Sequence, residues 1–178
     1  MSRPFAHVAP IHVLITFALS FSPLSAQSQP ALPSADARLR ALYTEEWNWR
    51  QQELGRGAAS DRFPRVDAAS QHARLAYWTR TLATLDTIPF DQLSPEEKIN
   101  AQIFRTSLRA LASDVQYRTY EAPFNSDTFF WTDFTPRPGF ATTAEYRSYL
   151  ARLRDVPRYF DEQIANMRAG LALSLIHI

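Results

Sequence analysis

The four histidines are the residues of this chain best suited to bind a metal ion or to move a proton near neutral pH. A zinc site needs three or four protein ligands, mostly histidine and cysteine, and the sequence has no cysteine. His7 and His12 lie near the N-terminus, His177 is the penultimate residue, and His72 is isolated between them. We therefore predict that the chain binds no metal or other cofactor by itself, and that His72 is a surface or capping residue.

Adjacent carboxylates are the next residues with chemical potential, because two acids can act together as general acid and general base. Such pairs occur at positions 45–46, 96–97 and 161–162. Neighbouring helix residues point about 100° apart, so none of the pairs converges on one point. We expect Glu96 and Glu97 to stabilise a helix N-terminus and the other two pairs to face solvent. No nucleophile elbow or glycine-rich phosphate loop is present, so the sequence offers no catalytic residue.

The elements that would position these residues are helices. Apolar residues recur at helical spacing between positions 34 and 172, and no alternating strand pattern or hairpin turn appears. We predict an all-α fold of antiparallel helices joined by short loops. Trp47 is predicted to face the interior from the first helix, and Pro157 to break or kink the last helical run. N-caps are predicted at Ser34, Asp67 or Ser70, Ser94 and Thr142.

Two capping motifs are the clearest local patterns. Ser94, Pro95 and Glu97 predict a helix start with a capping box, since proline is tolerated at the first helical position. Thr142 and Glu145 predict a second capping box. The helix after Ser94 is predicted to turn five apolar residues inward: Ile99, Ile103, Leu108, Leu111 and Val115.

One long connection, residues 121–142, is the exception to the short loops, and its aromatic residues lie within 124–140. A connection this long in a compact domain is usually functional or disordered, and the aromatic content argues against disorder. We predict that it packs against another surface. Contact with a further part of a longer protein is favoured, and stacking on a sugar or a base is the alternative. The possible interface residues are Phe129, Phe130, Trp131 and Phe134.

The first 26 residues have the layout of a secretory signal peptide, with Arg3 as the only charge and an apolar stretch at 13–21. That stretch is shorter than the roughly 20 residues of a membrane span, so no stable span is expected after cleavage at Ala26. Residues 27–33 form a predicted linker. Export without cysteine favours a bacterial periplasm or the exterior. Removing the leader reduces the formal charge from +1 to zero, which argues against a nucleic-acid partner.

The last six residues, 173–178, are expected to be foreign to the protein. Their sequence, Leu-Ser-Leu-Ile-His-Ile, resembles the translation of a transposase end sequence used in DNA sequencing libraries. We therefore interpret Ala172 as the last native residue, and the chain as the front part of a longer protein. On this interpretation, the missing active site is sequence that was not read.

Several stretches resemble the bacterial family called domain of unknown function 885. They are LYTEEWNWR at 42–50, SPEE at 94–97, TAEYRSYLARL at 143–153, VPRYFDEQI at 156–164 and MRAGLA at 167–172. The resemblance implies a longer, largely helical protein similar to zinc metallopeptidases of the gluzincin type. Such proteins carry a His-Glu-x-x-Pro-Gly-His motif and a later Glu-Gly-Trp-Ala motif. Their histidines bind zinc and the motif glutamate activates water.

None of those motif positions lies in this sequence, so the resemblance assigns no catalytic or metal-binding residue to it. It places residues 34–172 in the helical wall of a cleft for a peptide-like substrate, with zinc expected only in the full-length parent. Our main hypothesis is thus that the chain is the N-terminal fragment of an exported, zinc-dependent peptidase-like hydrolase. The fragment would be inactive alone, and its partner would be the missing C-terminal part of the same protein. The alternative is a complete small exported helical module that binds a partner through residues 124–140.

Overall fold

The computed structural model describes residues 33–55, 60–123, 129, 134 and 139–173, all within one compact unit that begins at Pro33. The predicted leader (1–26), the predicted linker up to Leu32 and residues 174–178 lie outside the described residues. The helices are α1 (Ala35–Glu53), α2 (Ala68–Asp86), α3 (Pro95–Gln116), α4 (Thr143–Arg154) and α5 (Val156–Ala172), with 3-10 turns at Phe90–Gln92 and Thr119–Glu121. No strand occurs in these ranges, so the all-α prediction is confirmed. No helix described here is long and apolar enough to cross a bilayer.

The first four helices begin at caps that the sequence predicts. In each case the side chain of the cap accepts a hydrogen bond from a backbone amide in the first turn, which satisfies a donor that has no partner within the helix. At Thr142 the capping box is complete, because the Glu145 carboxylate also accepts from the Thr142 amide (3.3 Å). The four caps are Ser34, Asp67, Ser94 and Thr142.

The predicted capping box at Ser94 is only half formed. The Ser94 hydroxyl accepts from the Glu97 amide (3.3 Å), but the Ser94 amide donates to Oδ1 of Asp36 on α1 (3.0 Å). The Glu97 carboxylate is instead bound by Arg40 (2.6 Å) and by Asn100 (3.2 Å). A tertiary contact between α1 and α3 therefore takes the place of the predicted local one.

The first three helices form a bundle with an apolar interior. Helix α2 packs along α3, and α1 contacts both of them. Leu39 of α1, Leu85 of α2 and Leu108 of α3 are essentially inaccessible to solvent, and Trp78 lies among them. Full burial of one such leucine contributes about 1.5–3 kcal/mol. This α1–α3 bundle therefore holds most of the hydrophobic stabilisation.

The buried face of α3 differs in part from the predicted one. Leu108 is buried as predicted, and it shares its face with Ala101 and Phe104. Ile99 and Ile103 are 59% and 60% exposed, so the prediction that they face inward is wrong. The reason is geometric. Each helical residue rotates the side chain by about 100°, so Ile99, nine residues before Leu108, lies on the opposite side of the helix.

Helices α4 and α5 are consecutive and meet at Asp155, which caps the end of α4. The predicted break near Pro157 is confirmed, and the proline lies in the first turn of α5, where a missing amide costs no hydrogen bond. Helix α5 contacts the Thr119–Glu121 turn through Gly170. A Cβ atom on Gly170 would lie 2.5 Å from the carbonyl oxygen of Glu121, so this contact requires glycine.

A second, smaller apolar cluster joins α5 to the loop between α1 and α2. Phe63 and Val66 of the loop are buried together with Tyr159 of α5. The rings of Phe63 and Tyr159 stack with centroids 5.0 Å apart. The loop thus shares its core with α5, a helix that lies almost one hundred residues further along the chain.

Candidate functional site

The predicted interface residues of the long connection fall in different places. Phe134 is half-buried, with its ring centroid 4.7 Å from that of Phe63 and 5.8 Å from that of Phe160. Phe129 is 38% exposed. Phe130 and Trp131 lie outside the described residues. An interface formed by these residues stays a prediction.

Metal-binding groups are the next possibility. His72 is exposed near the start of α2, where the sequence places it. In the described part of the chain, no group of three or more His, Asp or Glu side chains is arranged to hold a metal ion. The zinc that the family resemblance implies for the full-length parent therefore has no ligand set among the described residues.

Glu46 contradicts the prediction that the 45–46 pair faces solvent. Its side chain is 1% exposed, and its carboxylate accepts from Nε1 of Trp78 (3.1 Å) and pairs with Nη2 of Arg50 (3.1 Å). Trp47 is 54% exposed, so the prediction that it faces inward is wrong. Its neighbour Glu46, which points about 100° away around the helix, faces inward instead. The Glu46–Arg50 spacing of four residues predicts an ion pair on a helix, but it does not predict that the pair is buried.

Glu121 is another buried acid that sequence reasoning missed. It is 2% exposed in the turn after α3, and Arg118 donates to its Oε1 from Nε (2.7 Å). Arg118 has a φ of 58°, the left-handed conformation common just after a helix end. Hydrogen bonding to Glu121 raises the pKa of Arg118. Like Glu46, Glu121 is engaged by residues of the fold and is not open to a substrate.

Two carboxylates of α5 and its cap bind the loop between α1 and α2, and we call this contact the carboxylate clamp. Asp155 accepts from the Phe63 amide (2.9 Å), and Glu162 accepts from the Val66 amide (2.8 Å). Arg158 lies between the two acids, pairs with both and donates to the Phe63 carbonyl (2.8 Å). The solvent-facing prediction is therefore wrong for Glu162, whose side chain is only 11% exposed.

Arg158 stabilises the ionised form of the Asp155 carboxylate within the clamp. Its guanidinium holds the pKa of the Asp155 carboxyl below the ordinary value, and the Phe63 amide acts in the same direction, whereas partial burial opposes both. The same ion pairs raise the pKa of Arg158. The clamp is accordingly a charged, occupied structure that joins two parts of the fold, and it leaves no acid free to transfer a proton.

A partly exposed apolar surface lies on α4. Its apolar residues lie at positions 146, 149, 150 and 153, three, four and seven positions after the first, as on the buried face of an amphipathic helix, yet no residue of Thr143–Arg154 is buried. Tyr146 is 48% and Leu153 is 38% exposed. Phe140 extends the surface by edge contact with Tyr146, the ring centroids lying 5.3 Å apart. We call this surface the α4 apolar face, and its members are Phe140, Tyr146, Tyr149, Leu150 and Leu153.

A shallow groove of about 630 Å³ runs along the outer side of α1. All of its described lining residues come from α1, and most are polar, with Trp49 as the aromatic exception. The Trp49 ring is stacked on Tyr77 at 3.6 Å between centroids, which fixes it against α2. Because the described lining forms only one wall, the groove does not enclose a ligand.

Comparison with known proteins gives a family match. A model of the family described as bacterial protein of unknown function (DUF885) matches residues 50–177. A search of the curated proteins and a search of the solved structures found no match. The matched range runs beyond Ala172 into the residues that we interpret as foreign, and the origin of those residues stays a prediction.

Proposed function

The chain belongs to the DUF885 family of bacterial proteins, and we propose that it is the N-terminal helical part of an exported, zinc-dependent peptidase-like hydrolase, inactive by itself. The main support is the α4 apolar face. An amphipathic helix normally turns its apolar stripe toward a core, and no residue of α4 is buried. We infer that further helices of the full-length parent cover this face.

The length of α4 supports the same proposal. Isolated helices shorter than about 12–15 residues are marginal in water, and most helices in proteins gain their stability from packing. Helix α4 has 12 residues and packs against α5 among the described elements. A partner surface that buried Tyr146 and Leu153 would supply stabilisation that α4 lacks here, about 1.5–3 kcal/mol for each side chain that is buried in full.

The proposed role of this region in the hydrolase is that of a wall. Its buried acids are bound by arginine or tryptophan side chains, as at Glu46 and Glu121, and they fix helix positions. The metal ligands and the water-activating glutamate would come from the later part of the protein. Zinc, when bound there, would polarise a water or an amide carbonyl. The residues described here would shape the cleft and exclude water from it.

Activity and metal content of the full-length parent test this proposal. The parent should bind about one zinc ion per chain and hydrolyse peptides, and a chelator should abolish the hydrolysis. The control is the isolated region 27–172, which should show no hydrolysis with or without zinc. A full-length parent without zinc and without hydrolytic activity would contradict the proposal.

Export is a separate part of the proposal and has its own test. We expect the mature protein to begin at Gln27 and to appear in the periplasm or the medium. Mass spectrometry of the N-terminal peptide from fractionated cells measures both properties. An intact N-terminus at Met1 in the cytoplasmic fraction would contradict export.

A small binding module is the second candidate, and the exposure of Phe129 favours it. A self-sufficient module should be monomeric and soluble as residues 27–172. It should unfold in one sharp transition and expose no dye-binding apolar surface. The hydrolase proposal expects the opposite, namely strong binding of an apolar dye and poor solubility, because the α4 apolar face would be open.

A further inference from the structure

We propose that α4 and α5 form a separately opening unit, which the carboxylate clamp docks onto the α1–α3 bundle and which is released when the clamp loses its negative charge. The inference concerns the motion of this chain and does not depend on the proposed hydrolase activity. It begins from the way in which α5 is attached. In the described part of the chain, its main contacts with elements before α4 are to the loop between α1 and α2 and to the Thr119–Glu121 turn, whereas the helices of the bundle pack directly on one another.

The polar part of the attachment consists mainly of charged hydrogen bonds to backbone atoms of the loop. The Phe63 and Val66 amides are bound by Asp155 and Glu162 at 2.9 Å and 2.8 Å. The Val66 carbonyl in turn accepts from the Asn166 side chain (2.8 Å). Hydrogen bonds to ionised groups are about twice as strong as those between neutral groups. Docking therefore depends strongly on the charge of the two carboxylates.

The side chains that face the clamp are mostly basic. Arg158 pairs with both carboxylates, and Arg65 of the loop pairs with Glu162 (2.6 Å). Arg62 adds to the positive potential at Asp155. From α4, the guanidinium of Arg152 lies 4.9 Å from the centre of the Phe63 ring.

Asp67 is the additional acid beside the clamp, where it pairs with Arg65 (3.2 Å). If Asp155 and Glu162 became neutral, the arginines would remain close together with little compensation. Their mutual repulsion would then act to separate α5 from the loop.

Among the described residues, the apolar cluster at this junction is smaller than that of the bundle. It has three buried members, Phe63, Val66 and Tyr159, with Phe134 and Val156 packed against them, and the bundle core has ten. Hydrophobic stabilisation is roughly proportional to the apolar area removed from water. The bundle should therefore remain folded under conditions that release α4 and α5.

The direction of the pH dependence follows from Asp155. Its pKa in the folded protein lies below the ordinary value of 3.8. Its contribution to docking is therefore complete above pH 3.8 and is lost as the pH falls through the lower, folded value. Acid should release α4 and α5 at a pH at which the bundle still protects its amides.

Hydrogen exchange of the full chain, followed by mass spectrometry at pH 7, tests the proposal. The variant is the double substitution Asp155→Asn with Glu162→Gln, which preserves shape and removes the charge. Exchange in residues 60–66 and 143–172 should become about tenfold faster or more, since bonds to charged groups are the strong class. Exchange in α2 and α3 should change by less than about twofold. The matched control is Asp86→Asn, which removes an exposed ion pair with Arg105 inside the bundle and should leave residues 143–172 unchanged.

Three results would overturn the proposal. Acceleration by a common factor in all helices, including complete unfolding of the variant, would mean that the fold opens as a single unit. Unchanged exchange in residues 143–172 would mean that the clamp does not hold α5. The third result concerns hydrogen exchange of the wild-type chain at pH 7 and at pH 3. If α2 and α3 lost protection before α5 as the pH fell, the expected order of opening would be reversed.

Discussion

The α1–α3 bundle and the α4–α5 pair belong to one chain but are stabilised in different ways. The bundle buries ten apolar residues in one cluster, with charged groups such as Glu46 and Glu97 buried at its helix contacts. In the α4–α5 pair, no residue of α4 is buried, and α5 is joined to the earlier part of the fold by the carboxylate clamp, by the small cluster around Phe63 and Tyr159, and by a close contact at Gly170. The bundle therefore has its own apolar interior, although it also exposes Ile99 and Ile103, whereas α4 contains no buried residue.

This difference indicates where the function of the chain lies. The exposed Ile99 and Ile103 of the bundle belong to a helix whose other face is buried, whereas α4 has no buried face. A region with an amphipathic helix left open is suited to contact another part of the protein. Under the proposed function, the α4 apolar face would be the junction with the remainder of the larger hydrolase, and the bundle would support it.

The largest effect is expected from a cavity in the bundle. Leu108→Ala should lower the free energy of unfolding by about 2–5 kcal/mol, because the side chain is fully buried and the neighbouring residues cannot fill the space. Leu153→Ala on α4, where the leucine is exposed, should change it by less than about 0.5 kcal/mol. Urea denaturation of both variants measures the difference. Equal losses would remove the contrast between the two regions.

Gly170→Ala tests the close contact between α5 and the Thr119–Glu121 turn. The new Cβ atom would meet the Glu121 carbonyl oxygen at 2.5 Å, so we expect a loss of about 3 kcal/mol. Gly139→Ala is the matched control, because no atom lies within 4 Å of a Cβ at that position. Thermal denaturation of both variants measures the effect. If the two glycines tolerate alanine equally well, α5 does not pack against the Thr119–Glu121 turn as described.

Trp78→Phe tests the buried polar contact inside the bundle. The substitution removes the indole donor to Glu46 and should cost about 2 kcal/mol, since the buried carboxylate loses a hydrogen bond. Trp47→Phe provides the same chemical change on the exposed side of α1 and should cost less than about 0.5 kcal/mol. Chemical denaturation of the pair measures both values. A larger effect at Trp47 would mean that the sequence-based orientation of α1 was right after all.

The smallest effect is expected at the start of α4. Thr142→Ala removes the capping box and should destabilise α4 by about 1 kcal/mol. The loss should appear as faster hydrogen exchange in Thr143–Arg154, without a change in α2 or α3. Thr143→Ala, one residue further, is the control and should have little effect. Faster exchange in the bundle as well would show that α4 is coupled to it more tightly than we propose.

Local features of the fold could be predicted from the sequence. The caps at Ser34, Asp67, Ser94 and Thr142, and the break near Pro157, depend on neighbouring residues and are present in the structure. Each follows from the geometry of a single helix end. The class of the fold follows from the same patterns, because helical spacing and helix caps agree along the chain.

Burial could not be predicted in the same way. The helical spacing predicts that Ile99 and Ile103 face the interior, but α3 buries Ala101 and Phe104 instead. The sequence likewise predicts that Glu46 and Glu162 face solvent, because they are charged. Their partners Trp78 and Val66 lie 32 and 96 residues away, and sequence spacing holds no information about contacts of that kind.

The central claim is that this region continues into a larger zinc-dependent hydrolase, and reading the source DNA beyond the codon for Ala172 tests it most directly. We predict an open reading frame that replaces Leu-Ser-Leu-Ile-His-Ile with a longer helical sequence and encodes a His-Glu-x-x-x-x-His-like motif further downstream. A native stop codon directly after residue 178, or a continuation without such a motif, would contradict the claim.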